Sequence, residues 1–420
     1  MKLRVLNIPP VALLTAFFAL STIPAATAAA DVVLEWNAIM VSTISSQNPF
    51  AQARFAAITQ LAVFEAVNAC TGDYKPYLGT IDAPHGASPE AAAIAAAHGV
   101  LRNYFPGSAA SLDAARATSL AAIPNGQAKE RGIAVGETAA AALIALRAND
   151  GSTPAETFLP STTDPGVWQP TPPAFGPGIL LHWSHLTPFG LQSSDQFRSD
   201  APPALMSNRY RKDYDEVMRV GSVGSTERPQ DRTNVARFFS IASAPYVWNS
   251  AARQVSSAQR RSLSENARAL ALLNMAISDG LVSSMETKYF HIFWRPVTAI
   301  RAGDIDGNRY TEADPSWTPL ITTPVFPSYP SAHASGSYAG RRILDKIFGA
   351  GLHLMTLSHP GIPDVTLTYA AFDEITDDID DARVYGGIHF RFDQKAGARQ
   401  GRQVGSYIYR HYLRPRHAAK

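Results

Sequence analysis

Cysteine is almost absent from this chain: of 420 residues, only Cys70 is one. No intrachain disulfide can form, so stability has to come from packing. Runs of like charge are also missing, and 37 Lys and Arg against 35 Asp and Glu leave a formal charge of +2. That balance, with no run of like charge, gives no indication of a basic surface on which nucleic acid or an acidic membrane would dock. No apolar run beyond the N-terminus is long enough to span a bilayer, and internal repeats and low-complexity segments do not occur. What is present, 46% hydrophobic residues with modest charge, is an ordinary globular composition that can bury one large core or two cooperating ones.

The first 28 residues have the pattern of a secretory signal. Lys2 and Arg4 give a basic start, Val11 to Leu20 an apolar stretch, and Ala26-Thr27-Ala28 a small-residue cleavage site. The stretch is shorter than the ~20 residues of a spanning helix. The expectation is an exported protein, periplasmic or extracellular, whose mature chain starts near Ala29. Cys70 lies in an apolar helical stretch with no histidine close in sequence, which makes it a buried packing residue rather than a nucleophile.

Hydrophobic spacing predicts a helical protein with little competing strand alternation. Val33, Trp36 and Met40 share one helical face, as do Phe55, Ile58, Ala62 and Ala66. Alanine-rich helices are expected over 88–101, 109–122 and 126–148. Residues 152–204 hold ten prolines together with Trp168, Phe175, Trp183 and Phe189, and read as an ordered loop wrapped on the body. Helix returns from Ser257, runs past Leu270, Leu273, Ile277 and Leu281 to Lys288, and should stop near Arg295 because Pro296 follows. A turn-rich stretch over 302–330 precedes a helix from about Ala332 to Phe348, ended by Gly349. The expected organisation is a helical region over 29–256 and a second helical bundle, carrying the chemistry, over 257–414. His182 and His185 lack a second ligand pair or carboxylate at ligand spacing and are assigned to packing or hydrogen bonding. Asp304, Asp306 and Glu312 depart from the calcium-loop spacing and are assigned to a surface turn.

Three short segments near the C-terminus concentrate the polar chemistry. The first runs from Lys288 to Arg295-Pro296, the second is Tyr329-Pro330-Ser331-Ala332-His333, and the third runs from Arg383 through Gly386-Gly387 to His389 and Asp393. Lysine, arginine, serine and histidine are the side chains that hold an oxyanion and act on it. On a continuous helix, Lys288 and Arg295 would leave one face ~10 Å apart and close on one anion from two sides. Their neighbours Tyr289, Phe290, Ile292, Phe293 and Trp294 are too apolar for a solvated stripe, and buried cations need a fixed counter-anion. Ser331, where a proline-rich loop becomes a helix, is set at a terminus whose free amides favour an anion. His333, just inside the helix, is placed for proton transfer. Gly386-Gly387 should let the chain re-aim, so that His389 and Asp393 share a helical face. Asp393 would then hold one imidazole nitrogen while the other faces the anion as ligand or nucleophile.

In order, spacing and residue type the three segments resemble the vanadium-dependent haloperoxidases and the type 2 phosphatidic acid phosphatases that share their site, whose pattern is Lys-x6-Arg-Pro, Pro-Ser-Gly-His and Ser-Arg-x5-His-x3-Asp. Phe293-Trp294-Arg295-Pro296 and Phe326-Pro327-Ser328-Tyr329-Pro330-Ser331 are closer to the haloperoxidase branch. The resemblance implies an all-α fold of two packed helix bundles and one bound vanadate. Lys288, Arg295, Ser331, the amide of Ala332 and Arg383 would bind its oxygens, His389 would be the metal ligand and His333 the acid–base residue, with Lys288 also catalytic. Asp393 and Phe326 would support the site, Phe326 either in a halide pocket or in the core. Hydrogen peroxide, halide and a small organic acceptor are the implied partners of a peroxidase. A secreted acid phosphatase acting on a phosphate ester through a phosphohistidine at His389 is the other activity implied. Two positions depart from the pattern. Ala332 stands where glycine is usual, which requires backbone angles that suit a side chain, and Ala382 stands in place of serine, with little effect expected.

Overall fold

Capping signals written in the sequence start most of the helices. In a computed structural model that describes residues 31–416, Asp31 caps α1 (Val32–Thr43) by accepting the Val33 and Leu34 amides. Asn48 and Pro49 start α2 (Pro49–Thr71), and Ser88 and Pro89 start α3 (Pro89–Tyr104), each joining a side-chain acceptor to a residue that needs no amide partner. Two further helices, α4 (Ala109–Ala121) and α5 (Gln127–Leu146), complete the N-terminal group. After the long loop come α6 (Asn208–Gly221), α7 (Gln230–Ile241), α8 (Ala244–Gln259) and α9 (Leu263–His291), the last opened by a Ser262–Glu265 capping box. The C-terminal part holds α10 (Pro296–Arg301), α11 (Ala332–Phe348), α12 (Phe372–Tyr385) and α13 (Arg391–His411). The leader pattern at 1–28 lies outside the described residues.

The fold is the predicted helical one, with local corrections. A two-stranded antiparallel hairpin, β1 (Met355–Ser358) and β2 (Thr366–Tyr369), pairs Met355 with Tyr369. Four-residue strands are too short for their alternation to stand out in the sequence. The helix expected to begin at Ser257 is two helices, because Arg260 takes a left-handed conformation (φ 52°) between α8 and α9. Helices α6 and α7 had no counterpart in the sequence reading.

α9 is buried on nearly every side and forms the central post. One core cluster runs through Trp36, Phe64, Trp248, Leu273 and Ile343, joining the N-terminal helices to α9 and α11. A second, aromatic cluster of Tyr210, Phe293, Trp294, Phe390 and Phe392 includes neighbours of Arg295 and His389. α11 and α13 approach so closely that a Cβ on Gly401 would lie 2.3 Å from the Ser335 carbonyl oxygen. The proline-rich segment contains no α-helix, only a short 3-10 turn over Leu181–Ser184, and buries Trp168, Trp183 and Phe189. Asp279 of α9 pins it by accepting the amides of Phe189, Gly190 and Leu191 at 2.7–2.9 Å.

The minor assignments also resolve. Cys70 is half-buried rather than buried, and desolvation lifts its thiol to about 11, away from thiolate chemistry. His182 Nδ1 lies 3.2 Å from the Glu156 amide nitrogen, and Asp306 accepts the Asn308 amide and the Thr311 hydroxyl in a local turn. Among the described residues no cluster of His, Cys, Asp and Glu is arranged to hold a metal ion by itself.

Candidate active site

Lys288 arrives on the last turn of α9, but the helix does not carry on to Arg295. It ends at His291, and Ile292 turns left-handed (φ 43°), so the expectation of two cations on one continuous helical face is overturned. Tertiary bonds impose the turn. The Trp168 amide donates to the Ile292 carbonyl at 2.7 Å and the Trp294 amide to the Gly166 carbonyl at 2.9 Å. Arg295 then caps α10 ahead of Pro296. Both cations converge on the 326–328 loop: Lys288 Nζ donates to the Pro327 and Ser328 carbonyls at 2.8 and 2.6 Å, and Arg295 Nε to the Phe326 carbonyl at 2.8 Å. Their charges also sit 5.4 and 5.0 Å from the Phe326 ring centre, which makes Phe326 a platform for the cations.

The second segment behaves as its sequence predicts. Ser331 caps α11, its Oγ accepting the Ala334 amide at 3.3 Å, and its own amide donates to the Asp393 carbonyl at 3.0 Å. The Ser331 hydroxyl proton remains available, and among the described residues the amides of Ala332 and His333 meet no protein acceptor. Ala332 lies in the helix and is not among the residues with positive φ. A side chain at that position therefore costs no backbone strain.

In the third segment Arg383 occupies the last turn of α12 and donates to the Phe239 carbonyl at 2.9 Å. Ala382 beside it packs in the main core. The chain then re-aims at Gly387 (φ 77°), where a Cβ would fall 2.4 Å from the Gly221 oxygen, so only glycine fits. His389 precedes α13 rather than lying on it, which corrects the expectation of a shared helical face. The bond is nevertheless made: His389 Nδ1 is 2.7 Å from Asp393 Oδ2 at the helix entrance. With Nδ1 facing the carboxylate and carrying the proton, Nε2 is unprotonated and accepts from a guanidinium nitrogen of Arg295 at 3.1 Å. The sequence reading missed Ser328. Its hydroxyl donates to the same Asp393 Oδ2 at 2.5 Å and lies 3.4 Å from His389 Nδ1. The Pro-Ser doublet of this loop was its only trace in the sequence.

Charge sets the character of this place. Lys288 and Arg295 have no exposed surface and Arg383 almost none, while Asp393 is the buried carboxylate beside them. Burial, reinforced by Arg295, pulls Lys288 well below its ordinary lysine value, and burial brings Arg295 and Arg383 down to about 9. Burial and the neighbouring cations likewise hold His333 and His389 well below the usual histidine range, so both imidazoles are neutral. Asp393 is raised to about 7 by burial, against the opposing pull of Ser328 and Lys288. One Arg295 guanidinium nitrogen and Arg383 Nε have no hydrogen-bond partner. Three desolvated cations, two of them with an orphaned donor, beside one carboxylate leave uncompensated positive charge here, a setting that favours a multiply charged oxyanion. His333, Arg383 and His389 line a cavity of about 590 Å³, with Phe326 and Ala332 also in its wall.

The sequence model of a family described as the VCPO second helical-bundle domain matches residues 268–418, the stretch that contains all three segments. Within the curated proteins, the vanadium chloroperoxidase of Curvularia inaequalis is 27% identical over 175 residues, 34% of this chain and 28% of that protein. All three polar segments therefore lie in a stretch similar to the second helical bundle of the vanadium haloperoxidases. The sequence match thus spans under a third of that relative's length. Solved structures carry the likeness across the fold. A bacterial vanadium-dependent iodoperoxidase superposes with a TM-score of 0.78 at 24% identity, covering 93% of this chain and 97% of that one. A bacterial vanadium-dependent chloroperoxidase in its holo form gives 0.67 at 16% identity, over 88% and 93%. The vanadium haloperoxidase helical-bundle fold therefore extends through the N-terminal helices as well as the matched segment.

Proposed function

We propose that this protein is a vanadate-dependent haloperoxidase, oxidising halide with hydrogen peroxide and holding one vanadate per chain. The observation that carries the reading is the set of three buried cations, two with an unpartnered donor, around the unprotonated Nε2 of a fixed, neutral histidine. Vanadate fits that set in charge and in its need for a nitrogen ligand. When bound, it supplies Lewis-acid activation of peroxide without changing its own oxidation state.

The chain's residues divide the remaining work. Lys288, Arg295 and Arg383, with the Ser331 hydroxyl and the Ala332 amide, would neutralise and orient the oxyanion. His389 would present Nε2 as ligand because Asp393 holds Nδ1–H. His333, neutral and lining the cavity, would accept a proton from incoming peroxide and return it to the oxygen that leaves as water. Among the described residues no helix is long and apolar enough to cross a membrane, and the pattern over residues 1–28 supports export.

The decisive experiment assays one purified sample for peroxide-dependent bromide and iodide oxidation, with and without added vanadate, beside hydrolysis of p-nitrophenyl phosphate. Vanadate-dependent halide oxidation is expected. Hydrolysis through a phosphohistidine at His389, without halide oxidation, would instead assign the chain to the phosphatase branch.

A further inference from the structure

Positive charge that balances out over the whole chain is concentrated at its C-terminal end. Residues 391–416 hold seven Lys and Arg against a single acidic residue, Asp393, although the formal charge of the full chain is only +2. Asp393 is buried beside His389 and offsets none of that charge at the surface. Where the end of α13 meets α9, Arg268, Tyr409, Arg410, His411, Arg414 and Pro415 line a concavity of about 830 Å³. Arg410 follows Asp393 by 17 helical residues, which puts this place about 26 Å along α13 from the buried cations. The neighbouring Arg261, Arg341 and Arg399 are paired with Glu265, Asp345 and Asp200, but among the described residues Arg268, Arg342, Arg410 and Arg414 form no ion pair. Asp73, close by, accepts from the Ser264 hydroxyl instead. Two of the free cations are also set in advance. Arg268 Nε donates to the Leu413 carbonyl at 2.7 Å, and its guanidinium carbon lies 5.2 and 5.4 Å from the ring centres of Tyr74 and Tyr409, which leaves both terminal nitrogens without a protein partner. Arg410 Nε donates to the Ser406 carbonyl at 3.1 Å, while Arg342 Nε donates to the Ser406 hydroxyl at 2.9 Å and extends the basic surface onto α11.

We propose that this concavity is a second anion site, independent of the chemistry at His389, and that it holds a polyanionic chain bearing sulfate or phosphate groups. Arginine suits those groups because its planar fork can give two parallel hydrogen bonds to one of them. The lining also selects among polyanions. It contains no aliphatic side chain apart from Pro415, so nothing here would insert into a bilayer. The Tyr74 and Tyr409 rings are already engaged by Arg268, which removes the stacking platform that single-stranded nucleic acid requires. What remains is a row of fixed positive charges over a polar hollow, the counterpart of a hydrophilic chain with anionic groups at intervals.

The test titrates the full protein by fluorescence anisotropy against a labelled heparin oligosaccharide and a labelled inorganic polyphosphate of similar charge, at about 50 and 200 mM NaCl. Arg410→Gln/Arg414→Gln removes two exposed charges whose side chains make no tertiary bond. Arg131→Gln/Arg309→Gln removes two exposed charges elsewhere and serves as the control for net charge. Saturable binding that weakens as salt rises is expected for the wild type. The concavity pair should bind on the order of tenfold more weakly at the lower salt, with a shallower slope of log affinity against log salt, by roughly 1 to 2, since each ionic contact contributes close to one. The control pair should stay within about twofold of wild type. Binding in either arm supports the site, and the tighter arm names whether sulfate or phosphate is the group held. Absence of saturable binding in both arms, a concavity pair no weaker than the control pair, or tighter binding to a single-stranded oligonucleotide or to anionic lipid vesicles than to both chains overturns the proposal.

Discussion

His389 ends a chain of three side chains that runs from Ser328 through Asp393, and the middle link does most of the orienting. Asp393 Oδ2 gathers the imidazole Nδ1–H, the Ser328 hydroxyl and the Phe390 amide within 3.2 Å, so the carboxylate cannot rotate without breaking all three. Ser328→Ala should leave the fold intact and weaken vanadate and phosphate binding by about tenfold, the lower end of what losing a supporting bond to a ligand histidine costs; calorimetry on wild type and variant checks it. Unchanged affinity would show that the serine only fills space. The two histidines should separate in the same assay. His389→Ala is expected to lose vanadium retention. His333→Ala should still bind vanadate while losing on the order of 10²–10⁴ in halide oxidation rate, as removal of a proton-transfer group does; an equal loss of binding in both variants would assign His333 to anchoring.

At the scale of elements, what was legible in the sequence was what local chemistry decides. α11 was bounded at Ala332 and Phe348 because Ser331 is a cap and Gly349 a breaker, and both bounds match. The Gly386-Gly387 break and the three polar segments were readable for the same reason. Ile292 was not, since a β-branched residue in a left-handed turn contradicts its own propensity and is held there by Trp168 and Gly166, over a hundred residues earlier. Ser328 was hidden because its partner lies 65 positions away. α6, rich in charged residues, shows its buried Tyr210, Tyr214 and Val217 face only once the aromatic cluster exists to receive it. Tertiary placement also sets a pH response in α2. Glu65 is buried, accepts the Tyr77 amide at 2.6 Å, and is raised by desolvation from 4.5 to about 7. A carboxyl whose folded value is raised favours the fold most below its unfolded value. That contribution declines as pH rises through about 7, a loss on the order of 3 kcal/mol for a shift of this size. Glu65→Gln, which keeps an acceptor for Tyr77, should therefore raise the melting temperature relative to wild type at pH 8 and change it little at pH 4. A variant equally destabilised at both values would contradict that account.

Across the whole molecule, the cluster of Lys288, Arg295 and Arg383 is a region where charge is buried at a cost to stability, which the proposed oxyanion would offset. Arg383 illustrates this: it is almost fully buried, its Nε has no partner, and its remaining protein bond is a single contact to the Phe239 carbonyl. Burial alone lowers it to about 9, and its charge adds to that of Lys288 and Arg295 in the same low-dielectric space. Replacing a buried, poorly compensated charge with an apolar residue of similar length is commonly neutral or stabilising. Arg383→Met should accordingly melt, without ligand, at or above the wild-type temperature, the relief of repulsion offsetting the one carbonyl left without a donor. The order reverses when the oxyanion is present. A ligand at 100 times its Kd stabilises the folded state by about 2.7 kcal/mol, and loss of one charge-assisted contact weakens binding by about 1.5–3 kcal/mol, or roughly tenfold to a hundredfold. A series of melting curves against vanadate concentration should therefore show the two proteins crossing, the variant ahead at zero and the wild type ahead once its site is filled. Curves that never cross, with the variant below the wild type throughout, would make Arg383 a structural residue and remove one of the three cations from the site.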